Sequence, residues 1–231
     1  MLIYAHRGSS ADEPENTLRA FRQAAADGAD GIEFDVHATA DGVPVVIHDR
    51  DLARTTDGHG FVDQVTYDVL RALDAGEGER VPTLEEVIKV AEGRLKLYIE
   101  LKQPGAEQAT LDVLNASATR DWIIASFNHD TLRRVRELAP RAELWVISHS
   151  ASTDVIETAR ELSATTISLW AETTSPAAAA RLFTADLDLA VWTVNDAVIA
   201  RQAQLLGASA ICTDRPRLIR AGLPGTDDGQ P

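Results

Sequence analysis

From Pro82 onward the chain alternates short apolar runs with amphipathic stretches and never leaves that rhythm, which restricts it to a few folds. Runs of strand character lie at about 97–102, 122–126, 143–148, 166–170, 188–194 and 210–213. Helical stretches separate them at about 106–116, 130–138, 154–163, 176–184 and 197–206, and a short one at 216–221 closes the series. Ahead of these, Thr83 caps a helix that runs to about Ala91, with Glu85 and Glu86 in the first turn, where carboxylates suit the helix dipole. The same rhythm opens the chain. A strand at Leu2–Ala5 leads to a helix that starts at Pro14-Glu15-Asn16-Thr17, buries Leu18, Phe21 and Ala25, and ends near Asp27 before Gly28. A second strand follows at Gly31–Val36. Strand, helix, strand is the unit of a parallel sheet. Eight strands each followed by a helix close most economically into a TIM (β/α)8 barrel, expected here as one domain over residues 1–221. An open doubly wound sheet would need a glycine-rich phosphate loop after the first strand, which is absent.

One segment breaks the pattern. Asp41-Gly42 signals a tight turn, and the apolar run to Ile47 reads as the return arm of a hairpin, with His48 at its end. Residues 49–80 are polar and carry Gly58, Gly60, Gly76 and Gly78. They are expected to form an excursion over one barrel mouth, with a short helix near 67–73. Residues 37–80 thus make a short insertion after the second strand, and loops of that length in compact domains commonly serve function. Residues 222–231, rich in Gly, Pro and Asp, are expected to be a disordered tail.

Composition excludes several classes. No apolar run approaches the roughly 18 residues of a membrane span. The formal net charge of −14 disfavours nucleic acid and anionic membrane surfaces as partners. An anionic small molecule would have to find a locally positive pocket on this negative surface. Leu2 begins a strand with no basic region or cleavage site before it, and the single cysteine, Cys212, permits no internal disulfide; both features point to the cytoplasm. Cys212 lies in an apolar run and is expected to be a packing residue.

The chemistry gathers on the second strand. In Gly31-Ile32-Glu33-Phe34-Asp35-Val36 the two acids alternate with apolar residues, so both carboxylates emerge on one face. Two carboxylates side by side on a mostly buried strand repel each other, and desolvation adds to the cost. A divalent cation would relieve both penalties; a solvent-facing edge strand would avoid them. Barrel active sites lie at the C-terminal ends of the strands. There the first strand ends in His6-Arg7, the second in Glu33-Phe34-Asp35 with His48 returning beside it, and the third in Glu100-Leu101-Lys102. Three adjacent strand ends carrying ionisable pairs exceed what solvation requires.

Together Ala5-His6-Arg7-Gly8, Pro14-Glu15-Asn16-Thr17, Ile32-Glu33-Phe34-Asp35-Val36, His48-Asp49, Glu100-Leu101-Lys102 and Val191-Trp192-Thr193-Val194-Asn195 resemble the glycerophosphodiester phosphodiesterase family. The resemblance spans residue 2 to about 220. It implies a TIM barrel with an insertion after the second strand, and metal-dependent hydrolysis of a glycerophosphodiester to glycerol 3-phosphate and an alcohol. Glu33, Asp35 and Glu100 offer hard oxygen ligands, which suit one Mg²⁺ or Ca²⁺, with Mg²⁺ favoured in the cytoplasm. Arg7 and Lys102 are expected to bind the substrate phosphate, and Trp192 its glycerol or alcohol portion. Three carboxylates, one divalent ion, Arg7 and Lys102 carry a formal +1, which a phosphodiester monoanion neutralises. His6 and His48 resemble the family's acid/base pair, without indicating which is which.

Weaker candidates surround this set. His37 shares the face of Glu33 and Asp35 but is expected beyond the barrel end, in solvent. Glu15 could orient Arg7, although an acid in the first turn of a helix needs no such role. Asp49 is expected to start a turn rather than to orient His48. His59, His129 and His149 have no recognisable partners. Two other readings of the site remain. Lysophospholipase D-type cleavage would need an apolar acyl channel, which the short insertion and the lack of an amphipathic membrane-binding stretch disfavour. A non-catalytic barrel that binds phosphorylated ligands would need a broken triad or histidine pair, and both are whole.

Overall fold

The structure is a computed structural model that describes residues 1–223. Its sheet contains β1 (Leu2–His6), β2 (Gly31–Ala38), β3 (Pro44–Val46), β4 (Lys96–Leu101), β5 (Trp122–Ser126), β6 (Leu144–Ser148), β7 (Thr166–Trp170), β8 (Asp188–Trp192) and β9 (Ala210–Thr213). The order is β1-β9-β8-β7-β6-β5-β4-β2-β3, and β1 also pairs with β2, so eight parallel strands close on themselves. The ninth, β3, runs antiparallel to β2 as the hairpin arm, with Val46 opposite Val36. Around the barrel lie α1 (Leu18–Ala26), α3 (Leu84–Ala91), α4 (Glu107–Ala116), α5 (His129–Leu138), α6 (Thr153–Glu161), α7 (Pro176–Thr184), α8 (Ala197–Leu205) and α9 (Pro216–Gly222). A one-turn α2 (Tyr67–Leu70) belongs to the insertion. The closed barrel with helices between its strands is the TIM architecture expected from the alternation.

Two cores follow from the strand period of two. Residues facing outward, such as Ile3, Ile32, Phe34, Ile99 and Ile124, pack against the helices. Those facing inward include Tyr4, Tyr98, Trp145, Ile147 and Cys212. The rings of Tyr4, Tyr98 and Trp145 meet edge to face at 5.0–5.9 Å, a favourable geometry for aromatic quadrupoles. Gly31 makes room for this cluster: a Cβ there would stand 2.5 Å from the Tyr4 ring.

Several local signals behave as the sequence indicates. Thr83 forms a full capping box with Glu86, and Ser175 caps α7 ahead of Pro176. The first helix starts later than Pro14, at Leu18 with Thr17 as cap. Asn16 has φ 58° and its side chain is committed elsewhere, so residues 14–17 belong to the loop over the barrel. The insertion is also less polar in its organisation than its composition indicates. Val45, Ile47, Leu52, Val62, Leu70, Ala75 and Val81 form a small core of their own, which holds the segment against the hairpin. Of the expected tail, Gly222 is the last residue of α9, and 224–231 lie outside the described residues.

Candidate active site

The register of neighbouring strands brings the three acids together. Glu33 stands opposite His6 across β1 and β2, and Asp35 opposite Glu100 across β2 and β4. Oxygen atoms of Glu33, Asp35 and Glu100 lie within 4.8 Å of one another, and all three residues are buried. Lys102 Nζ bonds Glu100 Oε1 at 2.7 Å and stands 3.4 Å from Asp35 Oδ1. Arg7 Nε lies 3.4 Å from Asp35 Oδ2, to which Asn16 Nδ2 donates at 2.9 Å. Arg7 itself occupies the left-handed region (φ 57°), and its backbone N–H donates to Glu33 Oε2 at 3.1 Å.

These partners are unequally shared, and the carboxyls titrate accordingly. Burial works against the Asp35 carboxylate, but Lys102, Arg7, His48 and Asn16 together hold its pKa below the ordinary range. Burial, followed by repulsion from Asp35 and Glu100, pushes Glu33 well up. Burial and Asp35 likewise raise Glu100 to about 7, against the pull of Lys102. In their carboxylate forms the three desolvated acids exceed the two cations by one negative charge. A hard divalent cation fits that deficit and that all-oxygen donor set.

The two histidines flank the acids in matching arrangements. His6 Nδ1 lies 2.6 Å from Asp214 Oδ1, which leaves Nε2 facing Glu33 Oε2 at 3.9 Å. His48 Nδ1 lies 2.5 Å from Asp49 Oδ1, and its Nε2 is 3.2 Å from Lys102 Nζ. Asp49 therefore orients His48, contrary to the turn-starting role expected of it. Its other oxygen takes Arg54 of the insertion, which also grips Glu15 through two bonds of 2.8 Å. Glu15 in turn accepts from Arg7 at 3.0 Å. Because the helix begins only at Leu18, Glu15 is a loop residue that ties Arg7 to the insertion, not a dipole partner. His37 is also misjudged from sequence. It is 3 % exposed, because the hairpin and the loop after β4 close over it. Its ring meets Gln103 Oε1 at 2.7 Å and the His48 carbonyl at 3.1 Å.

Sequence reasoning missed Asp214 entirely. Asp214 accepts from Ser10 Oγ at 3.0 Å and from Asn195 Nδ2 at 2.5 Å, while its own N–H donates to Asn195 Oδ1 at 2.8 Å. Burial raises its pKa, but the bond and charge of His6, with Asn195 and Ser10, bring it down to about 2. The available signal was the inward period of β9, in which Ala210, Cys212 and Asp214 follow one another.

A cavity of about 240 Å³ opens over this group, lined among others by His6, Arg7, His48, Lys102, Phe127 and Trp192. Cys212 sits in its floor as an inert thiol, which burial pushes well up. The expected substrate residues Arg7, Lys102 and Trp192 thus share one pocket with the histidines. His59 is exposed and His129 half-buried, whereas His149 packs on the rim of the mouth, stacked on Phe127 at 5.4 Å.

Residues 6–218 match the glycerophosphoryl diester phosphodiesterase family. A glycerophosphodiester phosphodiesterase of Caldanaerobacter subterraneus subsp. tengcongensis is 41 % identical over 160 residues, which are 63 % of this chain and 66 % of that protein. YhdW of Bacillus subtilis, whose name assigns it the same activity provisionally, is 36 % identical over 95 % of this chain and 96 % of its own. Among solved structures, an Oleispira antarctica phosphodiesterase in complex with the product sn-glycerol-3-phosphate superposes with a TM-score of 0.92. It is 29 % identical, with 96 % of each chain covered. With barrel, acidic cluster and family match in agreement, the chain belongs to the glycerophosphoryl diester phosphodiesterase family and is an enzyme of that class.

Proposed function

We propose that the protein hydrolyses glycerophosphodiesters to glycerol 3-phosphate and an alcohol, using one hard divalent cation and His6 and His48 as its acid/base pair. The observation that carries this reading is the pair of carboxylate-anchored imidazoles on either side of the Glu33, Asp35 and Glu100 cluster, all at one cavity. Those three acids would hold the cation, Mg²⁺ in preference to Ca²⁺, which when bound offsets charge growing on the phosphoryl oxygens. Arg7 and Lys102 contribute positive charge on the same side and position the phosphodiester monoanion.

The proton inventory supports a division of roles between the histidines. Lys102 is an ammonium and can only donate, so the lone pair of His48 lies on Nε2 and its proton on Nδ1, toward Asp49. Burial lowers the His48 pKa, and Lys102 and Arg7 add to that against the pull of Asp35. His48 thus starts neutral, with its basic Nε2 engaged by Lys102 in the free protein, and serves as the first base once the substrate phosphate draws that ammonium away. His6, set between Asp214 and Glu33, is suited to carry a proton on Nε2 and deliver it to the departing alkoxide.

Among the described residues no helix is long and apolar enough to cross a membrane, which accords with a small soluble diester as substrate and the cytoplasm as location. Purified protein, stripped by a chelator and reloaded with Mg²⁺ or Ca²⁺, should be assayed on glycerophosphocholine and lysophosphatidylcholine. Metal-dependent turnover of the first, well above the second, supports the proposal. Preference for the lysolipid would favour lysophospholipase D-type activity, and turnover of neither a phospho-ligand-binding barrel.

A further inference from the structure

The barrel mouth is divided in two. The inward positions at the C-terminal ends of β9, β1, β2 and β4 are Asp214, His6, Glu33, Asp35, Glu100 and Lys102, the charged half described above. Continuing the inward period of β5 (Ile123, Ala125) leads to Phe127, and that of β6 (Trp145, Ile147) to His149. On β7 and β8 the paired residues Trp170 and Trp192 occupy the same level. These four rings touch in series. Phe127 stacks on His149 at 5.4 Å, and Trp192 meets both at 5.4–5.5 Å edge to face. Trp170 meets His149 at 5.5 Å. Phe127 is 40 % exposed, a high value for a large aromatic packed beside a cavity.

We infer that this aromatic half receives the leaving alcohol and selects an organic cation, of the quaternary ammonium type, as that alcohol's head group. The inference rests on the phosphodiesterase reading and deepens it. Trp192 Nε1 is spent on the Ser168 carbonyl at 3.1 Å, so the ring offers its face and not its donor to the cavity. Phe127 and Trp192 line the cavity itself and present no free hydrogen-bonding group to a polyol; the imidazole of His149 and the indole N–H of Trp170 stand behind them. No Arg or Lys belongs to it; Arg7 and Lys102 line the cavity on the charged side. A second anion would therefore find no partner here. The faces of Trp and Phe rings are negative, and they attract a cation within about 6 Å of the centroid. The enclosed volume of about 240 Å³ suits a compact head group beside a phosphoglycerol better than an acyl chain.

The test separates charge from shape. With Mg²⁺ present, kcat/KM is measured for glycerophosphocholine and for its neutral isostere, the 3,3-dimethylbutyl ester, in which carbon replaces the nitrogen. Glycerophosphoglycerol and lysophosphatidylcholine complete the set. Phe127→Leu, His149→Lys and Trp170→Leu are compared with the parent after circular dichroism shows each folded. A cation-selecting wall gives the choline ester an advantage of roughly 2- to 30-fold over the isostere, as desolvated cation–π contacts provide. His149→Lys, which places an ammonium in the wall, should bring that ratio to one or below, and the two leucine variants should reduce it. An isostere cleaved as well as the choline ester overturns the inference, as does a ratio untouched by all three variants or a preference for the lysolipid. If no diester is cleaved, the phosphodiesterase reading itself fails and takes this inference with it.

Discussion

Lys102 Nζ stands 3.2 Å from His48 Nε2, and this contact fixes the protonation of the imidazole on the substrate side. Its consequence is a pH profile. Burial first, then Lys102 and Arg7, lower the His48 pKa, so the base form persists below the ordinary histidine range near 6.5. The acidic limb of kcat/KM should therefore fall below that value. Removing the ammonium in Lys102→Met should move the limb upward, with a loss of activity on both sides of it. A limb that stays in place in the variant would separate Lys102 from the protonation of His48.

The histidines themselves should behave as a unit. His6→Ala and His48→Ala are each expected to lose about 10²–10⁴-fold in kcat, the usual contribution of a general acid or base. Metal binding and fold should remain, and the double variant should lose much less than the product of the two. An effect confined to KM would make these side chains binding residues.

Asp214 fixes the Nδ1 side of His6, so Asp214→Asn should cost kcat and leave KM nearly unchanged. Anchoring an imidazole in the right tautomer is worth up to about 10⁴-fold, and recovery of part of the loss in Asp214→Glu would confirm the role. The same residue contributes to acid stability. Its folded pKa, about 2, lies below the unfolded value of 3.8. The contribution is complete above pH 4 and is lost as pH falls toward 2, in total on the order of 2 kcal/mol. Urea titrations from pH 5 to 2 should show a shallower decline in Asp214→Asn than in the parent.

How much of this was legible in the sequence depends on the range of the signal. The period of two put Glu33 and Asp35 on one face, and the barrel order made Glu100 their neighbour, so the acidic cluster needed only local pattern and strand count. The partner of His6 lies 208 residues away, at a strand end whose Thr-Asp-Arg-Pro reads equally as an ordinary turn. Asp49 was assigned to a turn because propensity favours it there; tertiary contact with Arg54 and His48 overrides that preference. His37 looked solvated because its neighbours across the hairpin and at Gln103 come from chain segments with no pattern of their own. Of the aromatic wall, Trp192 was marked by the family resemblance, whereas Phe127, His149 and Trp170 each stand alone at the end of their own strand, with no local pattern that joins them.

Metal binding should release protons. Burial and the repulsion of Asp35 and Glu100 raise Glu33 well above the ordinary carboxyl range in the metal-free protein, and Glu100 sits near 7. A divalent cation requires the carboxylate forms, so affinity should weaken as pH falls. Calorimetry with Mg²⁺ in buffers of different ionisation enthalpy is expected to give a release of about one proton or more at pH 7. Glu33→Gln should abolish both binding and turnover. Metal-dependent activity retained in Glu33→Gln, Asp35→Asn and Glu100→Gln alike would refute the site.

The remaining question is what attacks phosphorus. A glycerophosphodiester carries its own nucleophile, the 2-hydroxyl, at five-membered-ring distance from the phosphoryl group. Held in the cavity it needs no separate water, and oriented groups of this kind reach effective molarities of about 10⁵–10⁸ M. His48 Nε2, whose lone pair accepts from Lys102 in the free protein, would take the hydroxyl proton once substrate displaces that contact, while His6 protonates the leaving alcohol, giving a cyclic phosphate. Water would then open the ring with the two roles exchanged, which the similar carboxylate anchoring of both imidazoles permits. Direct attack by water would use the same pair but would need a group to position that water. The hydroxyl route is expected because the intramolecular nucleophile needs no separate group to position it. A 2-deoxyglycerol phosphodiester should then turn over at least about 10²-fold more slowly than its parent under metal-saturated conditions, the loss set by the missing intramolecular nucleophile. Equal rates with comparable KM would establish water as the nucleophile and confine the 2-hydroxyl to recognition.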